Sequence, residues 1–194
     1  LTALNTLFYG CQAFNQDVSS WLSSSTNVTS LYSTFRGCSK FNQDLSSWDV
    51  SNITNMSNTF SSCTNFNNGG AALPWKITSC TTLAGLFSSC SSFNQDVGTR
   101  SDGSTGLYWD VSNVTSLRNF LSNTAYTQTS NIPYWNTSNV VDMYGLIQGT
   151  NINIAIPTQS VTVNGITYTA WDTSKVTNME YMFRNSSFNQ DLSS

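Results

Sequence analysis

Apolar residues along this chain fall into two alternating kinds of segment. In the first they recur every three to four residues. Ile53, Met56, Phe60 and Cys63 show the pattern, as do Val28, Leu31, Phe35 and Cys38, and then Val176, Met179 and Phe183. A spacing of i, i+3, i+7, i+10 buries one stripe of a helix and predicts a short α-helix in each place. Asp49 and Ser51 precede the Ile53 stripe and are placed to cap its first turn. The second kind of segment lacks that period. Phe41–Trp48 carries Leu45 and Trp48 in a polar, turn-rich run and suits a short strand.

The alternation repeats. Trp21, Trp48, Trp75, Trp109, Trp135 and Trp171 are separated by 27, 27, 34, 26 and 36 residues, and each opens a version of one phrase. Phe-Asn-Gln-Asp recurs at Phe14–Asp17, Phe41–Asp44, Phe93–Asp96 and Phe188–Asp191. A unit of strand, turn and short helix cannot bury its own apolar face, but units stacked at the strand spacing of about 4.8 Å can. Residues 1–194 therefore read as a single array of about seven units. The expected fold is an α/β repeat solenoid, a right-handed coil with a parallel sheet on one side and short helices on the other. Two stretches read as insertions, which go to loops on one face. Residues 98–108 are rich in Gly, Ser and Thr and are expected to form an exposed loop. In residues 151–170, Val161 and Val163 alternate with polar residues ahead of Asn164-Gly165, and Ile166 and Tyr168 follow. That alternation around Asn-Gly predicts a protruding β-hairpin.

The phrase in residues 41–56, Phe-Asn-Gln-Asp-Leu-Ser-Ser-Trp-Asp-Val-Ser-Asn-Ile-Thr-Asn-Met, resembles the repeat of the BspA-type leucine-rich-repeat surface proteins. Among these it is similar to a repeat known as a mycoplasma domain of unknown function. The resemblance covers the chain outside the two insertions. It implies a leucine-rich-repeat-like coil on a secreted or surface-anchored protein of bacteria or microbial eukaryotes, with roles in adhesion and in host or matrix binding. It brings no catalytic residues. The phrase is lost around Tyr126–Pro133 and Asn151–Pro157, so a surface built on it is interrupted there.

Composition narrows the function classes. Ser, Thr and Asn fill 80 of the 194 positions, whereas only 9% of residues are charged. The 13% of aromatic residues supply enough apolar surface for a core, which excludes charge-driven disorder. A net charge of −3 gives no basis for binding nucleic acid or anionic lipid. No apolar run approaches the roughly 20 residues of a membrane helix, so no membrane insertion by this segment is expected. His is absent, which removes the commonest general base and metal ligand. Glu180 is the only Glu, and repetition gives the Asp residues like environments, unsuited to a paired acid and base. No Gly-x-Ser-x-Gly elbow or phosphate-binding glycine loop is present. The expectation is a protein that is not an enzyme and needs no cofactor.

One column of Cys and two of Asp invite chemistry. Cys11, Cys38, Cys63 and Cys90 each follow a Phe by three residues, and Cys80 takes the phase of Val28 and Ile53. They read as buried small hydrophobes, although neighbours in the column could approach disulfide distance in an oxidising setting. Without CxxC spacing or His, no metal site is expected. Asp17 beside Asp44, and Asp49 with Asp110 and Asp172, could form a Ca²⁺ ladder. The preferred reading is that Asp serves a turn and recurs because the turn recurs.

The leading functional expectation is an extracellular or cell-surface repeat module, adhesive or structural, that binds a protein or glycan partner. Its expected contact surface comprises Asp17, Asp44, Ser46, Asp96 and Asp191, with Val161 and Tyr168 of the hairpin. The alternative is a filament or stalk subunit that self-associates end to end. Leu1 reads as an arbitrary start, neither end carries a polar cap, and open ends invite stacking. A third reading, ice binding, rests on Thr29, Thr54, Thr115 and Thr177 in one phase, a column that Val141 breaks. Six sequons, at Asn27, Asn52, Asn55, Asn113, Asn136 and Asn185, are candidate N-glycosylation sites in a secreting eukaryote.

Overall fold

The computed structural model describes residues 2–22, 27–97, 109–128, 132–163 and 165–192. The expected loop at 98–108 lies outside the described residues.

The expected helices are absent: among the described residues there is no α-helix, only 3-10 turns at Asn68–Gly70 and Ile132–Tyr134. The backbone of the Leu31 segment shows why. Ser33, Phe35 and Gly37 donate their N–H groups to the carbonyls of Ser57, Thr59 and Ser61 in the next repeat. The residues between them, Thr34, Arg36 and Cys38, close tight turns on Leu31, Ser33 and Phe35. An α-helix would send every N–H to the carbonyl four residues back. Here left-handed residues interrupt it, Ser33 at φ 52° and Gly37 at φ 78°, and Asn58 at 56° with Ser62 at 62° in the following unit. A string of such turns brings an apolar side chain inward every three to four residues, which is the spacing that predicted a helix. Asp49 and Ser51 therefore cap no helix. Asp49 Oδ1 accepts the N–H and Oγ–H of Ser51 in a local turn.

The parallel sheet is absent as well. Successive repeats meet through single parallel bridges, Ala3 to Ser30, Asn55, Thr82, Ser116, Asp142 and Asn178 in order. Each is one residue wide: the N–H groups flanking Ser30, those of Thr29 and Leu31, still bond across units, but from Thr34 to Cys38 every second N–H turns back on its own unit. No strand forms over Phe41–Trp48, where side-chain amides take the place of a backbone ladder. Asn42 N–H meets Asn15 Oδ1, and Asn67 and Gly69 N–H both meet Asn42 Oδ1. The α/β coil expected from the sequence, with its parallel sheet and helices, is thus replaced by stacked chains of turns.

The one sheet among the described residues is the antiparallel hairpin of β1 (Gln159–Val163) and β2 (Ile166–Ala170). It forms where alternation around Asn164-Gly165 placed it. Val163 and Ala170 are buried, and the Tyr168 hydroxyl donates to the Tyr134 carbonyl.

The core follows the aromatic phases. Phe35 stacks on Phe41 within its unit at 4.4 Å and on Phe60 of the next at 5.6 Å. Each Trp from Trp48 onward donates its indole N–H to a carbonyl of an earlier unit, namely Val18, Leu45, Leu73, Val97 and Ile132. Cys38, Cys63, Cys80 and Cys90 are buried and all five thiols are free. Cys38, Cys63 and Cys90 donate to the carbonyls of Phe8, Phe35 and Phe60.

Candidate functional site

The Asp residues of Phe-Asn-Gln-Asp are placed by the amide ladder beside them. Gln43 donates from Nε2 to the carbonyl and Oδ1 of Asn15, which ties the second unit to the first. Immediately after, Asp17 Oδ1 accepts the Ser19 N–H and Asp44 Oδ1 accepts the Ser46 N–H, both at 2.8 Å. These are local Asx turns, the reading preferred from sequence. The bond from the Ser19 backbone, followed by that from its side chain, holds the Asp17 carboxyl below the usual range. A carboxylate accepts more than one bond, so the turn does not exhaust either side chain.

The two turns meet in one open depression of about 320 Å³, lined by Asp17, Ser19, Gln43, Asp44, Ser46 and Ser47. Three of the expected contact residues, Asp17, Asp44 and Ser46, are therefore brought together. Asp96 and Asp191 are not part of this depression. The unit after Asp44 reads Phe66-Asn67-Asn68-Gly69 and supplies no Asp, which separates Asp96 from the pair. Val161 and Tyr168 sit half-buried against the core rather than on a free surface. Ser19, Gln43 and Ser47 complete the lining and were not among the residues named for the surface. Their signal was the constant Gln beside Asp in the repeated phrase and the paired Ser before Trp21 and Trp48.

The second Asp column serves turns as well. Asp49, Asp110 and Asp172 accept the N–H groups of Ser51, Ser112 and Ser174, and Asn136 does the same for Ser138. Asn in the same place shows that the turn needs an acceptor, not a charge. Among the described residues no three Cys, Asp or Glu side chains gather as a metal site. No helix there is long and apolar enough to cross a membrane.

The sequons differ in what their amides do. Asn27 and Asn52 are exposed. Asn113 donates to the Thr78 carbonyl, Asn55 Oδ1 accepts the Ser57 N–H, and Asn136 Oδ1 accepts both the N–H and the hydroxyl of Ser138. Asn185 is exposed and left-handed, at φ 55°. Thr29, Thr54, Thr81, Thr115 and Thr177 stand exposed in one column, and each hydroxyl donates to the backbone carbonyl of the preceding unit.

One family model, described as a Mycoplasma protein of unknown function, DUF285, matches residues 1–100, 71–159 and 99–194. Three overlapping matches cover the chain from end to end. The chain belongs to the DUF285 family. The family description assigns it no function. No curated protein and no solved structure matches this DUF285 chain.

Proposed function

We propose that this chain is an extracellular repeat module, adhesive or structural, that presents the Asp17–Asp44 depression to a protein or glycan partner. The observation that carries the reading is the depression itself. Two carboxylates, an amide and three hydroxyl residues from adjacent units converge on it, on a surface otherwise poor in charge. Such a set offers several donors and acceptors at fixed separation, which suits a hydroxyl-rich or amide-rich ligand. The likeness of the repeated phrase to BspA-type surface proteins supports the adhesive role and a cell-surface location. An array of units also offers an extended surface for binding.

The test uses Asp17→Asn with Asp44→Asn, because Asn136 shows that Asn keeps the turn. Beads coated with the wild-type chain should adhere to immobilised matrix proteins or to spots of a glycan microarray, and the double variant should adhere several-fold less. Equal adhesion by both chains would remove this surface from the account.

A further inference from the structure

Backbone bonds between units align a second outward column, and it departs from the monotony of the rest. Its members are Tyr32, Ser57, Ala84, Arg118, Tyr144 and Glu180. The column beside it holds Thr6, Ser33, Asn58, Gly85, Asn119, Gly145 and Tyr181, all at positive φ. Near the last three units the two columns carry a connected cluster. The Arg118 guanidinium lies 3.9 Å from the Tyr144 ring centroid and 3.4 Å from the Asp142 carboxylate. Tyr144 meets Tyr181 edge-on at 5.2 Å, and the Arg184 guanidinium lies 5.0 Å over Tyr181.

Tyr181 sits where the fold asks for something else. Its φ is 57°, a left-handed conformation that bulky L residues rarely adopt. The other units place Gly, Asn, Ser or Thr there. Trp171 also has a positive φ, but it is buried and bonded to Ile132, so the core offsets its strain. Tyr181 is 47% exposed. Strain kept at an exposed side chain points to a role outside folding.

The chemistry favours a protein partner. Tyr and Arg dominate the centres of protein interfaces, and side chains already held by neighbours lose little freedom on binding. Arg118 covers a face of Tyr144 and Arg184 lies over Tyr181, so the rings are poor stacking platforms for a sugar. Arg118, Asp142, Glu180 and Arg184 set charges of both signs side by side on a chain with few charges. A surface bearing acidic and basic side chains complements that pattern.

We propose that Arg118, Tyr144, Tyr181 and Arg184 form a docking strip for a protein partner that carries both acidic and basic side chains. The strip rests on reading the chain as a binding module and adds a surface separate from the Asp17–Asp44 depression. The probes are a phage-displayed library of random peptides panned on the wild-type chain, and a glycan microarray. The variants borrow residues from other units in the same columns: Arg118→Ser, as at Ser57, and Tyr181→Asn, as at Asn119. Enriched peptides should carry acidic and basic residues. Their affinity should fall at least tenfold for both variants and hold for Asp17→Asn with Asp44→Asn. Tyr181→Asn should also leave the thermal midpoint unchanged or raise it. The proposal is overturned if no peptide is enriched, if enriched peptides bind the variants equally, if glycan binding is what the variants lose, or if Tyr181→Asn lowers the midpoint. Lost adhesion in the Asp17 and Asp44 double variant, with peptide binding intact, bears on the depression alone.

Discussion

The indole of Trp48 lies parallel to that of Trp75, with ring centroids 6.2 Å apart and planes 9° from parallel. Its N–H donates to the Val18 carbonyl at 2.9 Å, so one side chain touches the units on both sides. Trp48→Ala should cost about 3–5 kcal/mol in urea unfolding. Trp48→Phe keeps much of the bulk but leaves the Val18 carbonyl without its donor, a loss of about 1–3 kcal/mol. In a stacked array damage stays near its origin. Amide exchange of the β1–β2 hairpin should therefore stay slow in Trp48→Phe while that of neighbouring units quickens.

Asn42 occupies the equivalent position in the amide ladder. Its Oδ1 accepts the N–H groups of Asn67 and Gly69 at 2.8 and 2.9 Å. Asn42→Ala strands both donors and should destabilise by roughly 1–3 kcal/mol. Asn42→Asp retains the acceptor and should cost less. Hydrogen exchange at Asn67 and Gly69 reports the change directly: both amides should be protected in the wild-type chain and lose protection only in Asn42→Ala.

Acid sensitivity follows from the second Asp column. The Ser51 hydroxyl, and then its N–H, hold the Asp49 carboxyl below the usual range. At Asp172 the Ser174 N–H is the larger cause. A carboxyl lowered in the folded state contributes stability that is full above its unfolded value, near pH 4, and is lost as pH falls through the folded value. Asp49→Asn keeps the turn acceptor without a titrating group. Its stability should decline less steeply below about pH 4 than that of the wild-type chain, and an identical acid limb would refute the assignment.

The thiols should divide by burial. Desolvation pushes Cys38 and Cys80 up to about 11, and raises Cys63 and Cys90 further. Thiolate is the reactive form. Iodoacetamide at pH 8 should label exposed Cys11 alone in the native chain, with the other four reacting only after unfolding, as read by intact mass.

The parts of this fold that were legible in the sequence are those where one residue type can serve one purpose. Trp48 was legible because a Trp holds the same place in unit after unit, and Asn164-Gly165 announced a hairpin because few other pairs turn so tightly. Ile53 to Cys63 misled because a spacing of three and four counts the turns of a helix and a string of tight turns alike. Asn58 and Ser62, the left-handed residues that decide between them, look ordinary in a chain so rich in Asn and Ser. Asn42 was hidden for the same reason. Asp17 and Asp44 were legible as neighbours, but Asp96 was separated from them by the unit that carries Asn67-Asn68-Gly69, and Tyr168 is held half-buried against the core by its ring and its bond to the Tyr134 carbonyl.

The central claim is that the chain is built from turns bonded across units, and Phe35 tests it most directly. Its N–H donates to the Thr59 carbonyl at 2.9 Å, 24 residues ahead. In an α-helix the same N–H would donate to Leu31, four residues back. Scalar coupling through the hydrogen bond, measured by NMR between the Phe35 amide nitrogen and its carbonyl partner, separates the two. A cross-peak to the Thr59 carbonyl is predicted. A cross-peak to the Leu31 carbonyl would contradict the fold described here.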